Sequence, residues 1–209
     1  AQPGPGKDLL DDDGSTDESR AIVQQVMHNE PRLRYHYQPN QGVSTARNQG
    51  ILASQGGLIA FLDQDDRWTT NALACQVAYH EQHPAVGYTL AQQICFLEPG
   101  CSPPKWFQLQ TFGQPHVGYL PGTLMVKRAI FDQIGLFNPE IPISSDADWF
   151  ARANDAQIPT YTLPQVLLER RIHNKNQSQQ SKQIHKELFR LLHASIKRKQ
   201  EVTHASTAG

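Results

Sequence analysis

The sequence predicts an α/β domain in which helices flank a mostly parallel central sheet. Short apolar runs typical of strands alternate with segments that repeat apolar residues at helical spacing. One of these runs, residues 58–62, is continuously apolar, which is typical of a strand covered on both faces. Since alternation of strands and helices favours parallel pairing, we expect one open sheet with helices against it.

The first half of the chain begins with residues 1–8, which are rich in proline and glycine and are expected to be disordered. The elements predicted after them are a helix over 17–30, a strand over 34–37, a loop and helix over 40–54, a strand over 58–62, a helix from Thr69 or Thr70 to about His80, and a strand within 84–96. In the helix of 40–54 we expect Val43, Ala46, Ile51 and Leu52 to face the core. Residues 98–115 lack periodicity and contain several glycines and prolines, so we predict a loop.

The second half of the chain continues the alternation. The predicted elements are a strand near 120–126, a helix over 128–134 closed by Gly135, a helix over 146–155, extended segments at 160–163 and 166–171, and a helix over 181–199. The last helix carries Ile184, Leu188, Leu191, Leu192 and Ile196 on one face. We therefore expect one domain over residues 9–178, followed by an amphipathic basic helix and tail over 179–209.

Composition excludes several classes of protein. The 209 residues are 38% hydrophobic and 19% charged, which is typical of a globular chain. A formal net charge of −1 gives no positive field that would recruit nucleic acid. Three cysteines without CxxC spacing favour reduced thiols in a cytoplasmic protein, and no apolar run reaches the roughly 20 residues that a membrane span needs.

Three carboxylates follow the strand of residues 58–62 directly, in the stretch FLDQDDRW. Asp63, Asp65 and Asp66 repel one another, and a divalent cation would make their proximity favourable. Oxygen ligands of this kind suit Mg²⁺ or Mn²⁺, and ligands of open α/β sheets bind outside the carboxyl ends of strands. The alternative is a solvated acidic turn ahead of the next helix, and the motif alone does not decide between the two.

A second acidic turn, DDDGSTDES, spans residues 11–19. It is typical of a strand that ends in a glycine turn and leads into a helix. Taken alone, its acids are explained by helix capping and by the positive end of the helix dipole.

Further motifs follow in a fixed order. They are NQGVSTARNQGILAS ahead of the acidic strand end, SDADWFAR at residues 145–152, and RRIHNKNQS at residues 170–178. Together with the two acidic turns, they resemble the family 2 glycosyltransferases, which have a GT-A fold. The resemblance covers nearly all of residues 10–178.

The resemblance implies roles for particular residues. Asp12 and Asp13 match the turn near the nucleotide base and ribose, and Arg47 matches a helix beside the nucleotide. Asp63 and Asp65 match the DxD motif, with Asp65 as the main metal ligand and Asp63 near the ribose or metal. Asp146 matches the general base of inverting members, although Ser145 stands where the family often carries Glu. His173 matches a histidine that helps to hold the metal or the diphosphate in some relatives.

The resemblance also implies the chemistry. The expected reaction transfers a sugar from a nucleotide-diphosphate donor, with UDP favoured, to a hydroxyl of a sugar, lipid-linked or other acceptor. It inverts the anomeric centre and uses Mn²⁺ or Mg²⁺. The family places a strand and a helix before the first acidic turn, whereas AQPGPGKDLL precedes it here, so we expect a GT-A fold truncated at the N-terminus.

Other readings stay open from the sequence. One is a non-catalytic remnant of this fold that binds nucleotide, sugar or protein weakly. Another is a nucleotidyltransferase, which would need a glycine-rich basic phosphate loop near the start of the chain. The basic helix of residues 181–199 either packs on the domain with a solvated basic face or contacts the inner face of a membrane.

Overall fold

The computed structural model describes residues 8–103, 112–174, 176 and 181–207. The disorder expected for residues 1–7, the centre of the loop predicted over 98–115 and the last two residues of the tail fall outside these ranges. Residue 8, also expected to be disordered, instead begins the first strand.

The described chain alternates strands and helices much as the sequence predicts. The strands are β1 (Asp8–Asp13), β2 (Leu33–Gln38), β3 (Leu58–Ala60), β4 (Arg67–Trp68), β5 (Tyr88–Leu97), β6 (His116–Val117), β7 (Met125–Lys127) and β8 (Thr160–Ile172). The helices are α1 (Ser19–Asn29), α2 (Val43–Ala53), α3 (Ala72–Gln82), α4 (Arg128–Ile134), α5 (Ser145–Asp155) and α6 (Ser181–Thr207). A 3₁₀ turn at Pro121–Thr123 precedes β7, where the sequence predicted a longer strand.

The strands form two sheets with mixed pairing. β1 and β2 pair in parallel, and the larger sheet has the order β3-β7-β5-β8-β4, with β6 pairing to β5. β5 and β8 form the longest pairing and are parallel, whereas β3–β7, β5–β7, β4–β8 and β5–β6 are antiparallel. The α/β class is confirmed, and the two longest pairings are parallel as predicted. The antiparallel direction of the shorter pairings was not predicted, because apolar content does not report strand direction.

β8 is one strand where the sequence indicated two extended segments. Its pairing with β5 runs from Ala91–Leu163 directly to Gln92–Val166, so Pro164 and Gln165 bulge out of the ladder. Proline has no backbone N–H to donate, which favours a bulge at this point. β8 thereby continues past the bulge to carry Arg170 and Arg171 to the end of the sheet.

An aromatic core joins the elements that carry the predicted site residues. Trp149 of α5 is fully buried and its ring contacts the rings of Tyr88, Phe131, Phe137 and Phe150. Ile51 of α2 and Ile59 of β3 belong to the same cluster. Burial of side chains of this size stabilises a fold by about 1.5–3 kcal/mol each, so the core fixes α2, β3 and α5 relative to one another.

The prediction that Leu52 faces the core is wrong. Leu52 of α2 is 64% exposed, because α2 packs through Ala46 and Ile51 instead. In α6 only Leu191 of the predicted apolar face is buried, while Leu188, Leu192 and Ile196 are exposed. No helix in the described ranges combines the length and the apolar character that a membrane crossing requires.

Candidate active site

The acidic loop between β3 and β4 is the centre of the candidate site. Each of its three carboxylates accepts a hydrogen bond from a group distant in sequence. Asp63 binds Nη2 of Arg47 through both oxygens, at 2.6 and 2.9 Å. Oδ2 of Asp65 lies 2.9 Å from Nε2 of His173, and Oδ1 of Asp66 accepts the backbone N–H of Arg171 at 2.9 Å. The repulsion among the three acids is therefore offset by these partners.

Arg171 holds the backbone of this loop as well as one side chain. Its Nε donates to the carbonyl of Asp65 at 3.0 Å, and its guanidinium lies 5.8 Å from the ring centre of Phe96. In the sequence Arg171 stands only within the motif RRIHNKNQS, and this role was not predicted. The one sequence signal for this role is that Arg171 lies two residues before His173, which also binds Asp65.

Asp66 differs from its neighbours in its environment. Burial, together with the charges of Asp65 and Asp63, raises the pKa of Asp66 to about 6, although the Arg171 N–H opposes the shift. The sequence predicted no role for Asp66 beyond its place in the acidic motif FLDQDDRW. Its contact shows that it anchors the loop to β8.

Arg47 reaches Asp63 from the first turns of α2. The helix starts at Gly42, which has no side chain to cap it, and Asp13 supplies the cap from β1. The Asp13 carboxylate accepts the N–H groups of Gln41 and Gly42 at 2.8 Å each. An anionic group at a helix N-terminus is stabilised by the helix dipole. Asp13, predicted beside a ribose, thus positions α2 and with it Arg47.

Asn48 follows Arg47 and ties α2 to the loop after α4. Its side-chain amide donates to the carbonyl of Phe137 at 2.8 Å and accepts the Phe137 N–H at 3.0 Å. The Arg47 guanidinium lies 5.9 Å from the Phe137 ring centre. Arg47 and Asn48, within the motif NQGVSTARNQGILAS, therefore both make contacts within the fold: Arg47 with Asp63 and Phe137, and Asn48 with the Phe137 backbone.

Asp12 is buried, and its carboxylate shapes the turn after β1. It accepts the Ser15 N–H at 2.7 Å and the hydroxyl of Tyr35. Burial disfavours the charged form, but these hydrogen bonds and that of Gly14 outweigh it, so the pKa of Asp12 lies below its ordinary value. Asp12 is ionised at neutral pH and already has hydrogen-bond partners in the turn.

Asp146 lies in the first turn of α5. Burial raises its pKa, while the Ala147 N–H and the charges of Arg47 and Arg170 act in the opposite direction. Arg170 also acts on Asp66, and Arg47 binds Asp63. The charges of these two arginines therefore act both on Asp146 and on carboxylates of the acidic loop.

Arg152, at the other end of the SDADWFAR motif, is a structural residue. It pairs with buried Asp148 at 2.8 Å and donates to the carbonyls of Ile134, Gly135 and Leu136. These bonds hold the end of α4 against α5.

The donors around Asp65 fit a divalent cation in part. Within the described ranges, no three side chains of His, Cys, Asp or Glu meet in a way that could hold a metal. Asp65 and His173 are adjacent, but Asp63 is engaged by Arg47. One carboxylate and one imidazole suit Mn²⁺ or Mg²⁺ when phosphate oxygens and water complete the shell. The predicted metal ligands Asp63, Asp65 and His173 stay a prediction.

Comparison with known proteins decides the family. The sequence profile described as Glycosyl transferase family 2 matches residues 9–137, more than half of the chain. The chain belongs to this family. The match includes both acidic turns and Arg47 and ends before Asp146 and His173, so family membership is carried by the first two thirds of the fold.

Two curated relatives each match over less than half of this chain. An uncharacterized glycosyltransferase of Nostoc sp. is 39% identical over 80 residues, which are 38% of this chain and 25% of that protein. TuaG of Bacillus subtilis, whose name assigns it to teichuronic acid biosynthesis, is 34% identical over 90 residues, 41% of this chain and 36% of TuaG. The aligned parts thus cover about a quarter to a third of these relatives.

Solved structures share the fold over nearly the whole chain. S. aureus TarS 1–349 in complex with UDP superposes with a TM-score of 0.67 at 18% identity, covering 90% of this chain and 55% of that one. The mannosyltransferase PcManGT of Pyrobaculum calidifontis, in complex with GDP-Man and Mn²⁺, gives 0.65 at 18% identity over 90% and 54%. The predicted GT-A fold is confirmed by these likenesses.

The raised pKa of Asp146 predicts how stability depends on pH. Folding favours the protonated carboxyl, so this contribution is complete below the ordinary Asp pKa of about 4 and is lost as pH rises through the raised value. Asp146→Asn carries no titrating proton. We expect the variant to be more stable than the wild type at about pH 7, with the difference shrinking towards about pH 4.

Urea unfolding across this pH range measures the difference. Asp132→Asn on the exposed side of α4 is the matched control and should follow the wild type at every pH. A stability difference between Asp146→Asn and the wild type that does not change with pH would contradict the assignment.

Proposed function

We propose that this chain is the catalytic part of an inverting glycosyltransferase that uses a nucleotide-diphosphate sugar and a divalent metal. The observation that carries the proposal is that Arg47, which binds Asp63 of the acidic loop, also acts through its charge on the partly buried Asp146. In this proposal a base lies near the site of a charged leaving group, as a single displacement requires.

UDP-sugars are the favoured donors. TarS structures contain UDP or UDP-GlcNAc, and PcManGT contains GDP-Man. In this proposal Asp12 and Asp13 lie near the base and ribose of the donor. Asp63 reaches the ribose, and Arg47 holds the Asp63 side chain in place. Asp13 also sets the position of Arg47 through α2.

The leaving diphosphate would lie beside Asp65 and His173. These two residues would hold Mn²⁺ or Mg²⁺, which supplies Lewis-acid stabilisation of the charge that develops on the diphosphate. Where His173 does not bind the metal, its ring N–H can instead donate a hydrogen bond to a phosphate oxygen. Arg171 keeps the Asp65 backbone in place, so the orientation of the carboxylate does not depend on the ligand.

Asp146 is the general base. As the acceptor oxygen forms its bond to the anomeric carbon, the bond to the diphosphate oxygen breaks and its electrons go to the leaving group. The acceptor proton moves to Asp146, whose raised pKa makes it a better proton acceptor than an ordinary aspartate. One displacement inverts the anomeric centre, so no second carboxylate nucleophile is required.

The acceptor is proposed to be a growing polysaccharide or another saccharide at the inner face of the cytoplasmic membrane. TuaG and the E. coli relative WcaA are named for teichuronic acid and colanic acid biosynthesis. α6 exposes Leu188, Phe189, Leu192 and Ile196, and basic side chains border them. An apolar stripe beside lysine and arginine suits an anionic bilayer surface.

Asp65→Ala should remove metal-dependent donor binding. The variant loses the main oxygen ligand, so Mn²⁺ should no longer strengthen UDP binding, and we expect at least about a tenfold loss. Calorimetry with UDP and Mn²⁺ on the full chain measures this. His83→Ala, on the exposed end of α3, serves as control. Absence of any metal-dependent UDP binding by the wild type would favour the non-catalytic module.

Asp146→Asn should abolish transfer and spare donor binding. Loss of a general base lowers kcat by about 10²–10⁴-fold, while the carboxylate is not needed to bind UDP. Release of UDP from UDP-GlcNAc, or of GDP from GDP-Man, in the presence of saccharide acceptors measures turnover, and Asp132→Asn is the control. Turnover at the wild-type rate would remove Asp146 as the base.

Acidic substitutions in the exposed apolar stripe of α6 should weaken membrane binding. Phe189→Glu with Leu192→Glu removes two exposed apolar side chains, each worth about 1.5–3 kcal/mol if buried in lipid. We expect more than about a tenfold loss of sedimentation with phosphatidylglycerol-rich vesicles. Ile22→Glu on α1 is the control. Equal sedimentation of the wild type and the double variant, or equal binding to neutral vesicles, would contradict the contact.

A further inference from the structure

The helix that carries Asp146 lacks a side-chain cap of its own. Ser144 is the N-cap residue of α5, and its side chain makes no capping hydrogen bond. In a capping box, the third residue of the helix is Glu or Gln and binds the N-cap N–H. That third residue is Ala147 here, which has no polar atom to do so.

Glu187 of α6 takes the place of the missing capping residue. Its Oε2 accepts the Ser144 N–H at 2.8 Å and the Ile143 N–H at 3.3 Å. Its Oε1 accepts the side-chain amide of Gln183 at 2.7 Å, one turn earlier in α6. Glu187 is 2% exposed, so these donors and the positive end of α5 offset its desolvation.

A second tie between the same helices lies at the opposite end of α5. The Asp155 carboxylate accepts hydrogen bonds from the Ser195 hydroxyl and from Nε of Arg198, each at 2.8 Å. Both ties join α5 to α6 through a carboxylate, but only Glu187 acts within two residues of Asp146. The chain therefore contains its own control for separating helix docking from placement of the base.

We propose that Glu187 is a positioning residue for sugar transfer, which holds the first turn of α5 so that Asp146 faces the acceptor hydroxyl. The inference rests on the proposed function, because it assumes that Asp146 is the base. Fixing the N-cap N–H limits how the first turn can shift, and a misplacement of about 1 Å at a reacting group can cost on the order of 10²-fold in rate. Glu187 itself touches neither donor nor acceptor in this proposal.

The test compares Glu187→Ala, Glu187→Gln and Asp155→Ala in the full chain. Glu187→Ala should lower kcat about 10–100-fold while KM for the donor changes less than about twofold. Glu187→Gln keeps an oxygen for the Ser144 N–H, and the Gln183 amide can turn to present its own oxygen to the new NH₂ group. We therefore expect Glu187→Gln to restore kcat to within about fivefold of the wild type.

Asp155→Ala should lower the melting temperature as Glu187→Ala does but leave kcat at the wild-type value. Hydrogen exchange gives a readout without substrate: backbone amides at 143–147 should exchange faster in Glu187→Ala and unchanged in Asp155→Ala. Should Glu187→Ala fail to fold, Gln183→Ala keeps the carboxylate but removes the group that orients it, and should lower kcat about threefold without altering KM.

The outcomes separate the two proposals. Equal kcat losses in Glu187→Ala and Asp155→Ala, or unchanged exchange at 143–147, would overturn the positioning role even where Asp146→Asn abolishes transfer. Wild-type turnover by Asp146→Asn would instead overturn the proposed base, while faster exchange in Glu187→Ala would still support the capping contact.

Discussion

The mutual repulsion of Asp63, Asp65 and Asp66 is the constraint on which the candidate site depends. Three carboxylates in four positions are tolerable because Arg47, Arg171 and His173 bind them from positions 16, 105 and 108 residues away in sequence. The loop is thus held by α2 and by the end of β8. A cation would join an arrangement in which Asp63 already pairs with a guanidinium and Asp66 accepts a backbone N–H. Asp65 is therefore the carboxylate best placed to respond to a ligand.

Carboxylates from other elements fix the starts of α2 and α5. Asp13 binds the N–H groups at the start of α2, and Glu187 binds those at the start of α5. Both helices carry a residue proposed for the site near their start, Arg47 and Asp146. In both helices the N-cap residue makes no capping hydrogen bond, and a carboxylate from another element binds the backbone N–H groups instead. The orientation of each helix is therefore coupled to the rest of the fold.

The sequence match to glycosyltransferase family 2 and the structural likeness to solved glycosyltransferases cover different lengths of the chain. The family match ends at Phe137, whereas the likeness to TarS and PcManGT extends over 90% of the chain. The nucleotide side of the proposed site lies in the matched part, while Asp146, His173 and Glu187 lie beyond it. The later segments contribute the residues proposed for the base, its positioning and acceptor contact.

The sequence by itself determined the α/β class, most element positions and the residues that form the acidic loop, because periodicity and turn residues act locally. It also predicted the encounter of Asp65 with His173, through the order of its motifs. Only the tertiary structure decided strand direction, the exposure of Leu52 and of the α6 stripe, and the partners of Asp13, Arg171 and Glu187. A charged side chain is buried only where a hydrogen-bond partner offsets the cost of its desolvation. Here that partner comes from an element far along the chain, so the sequence alone does not reveal it.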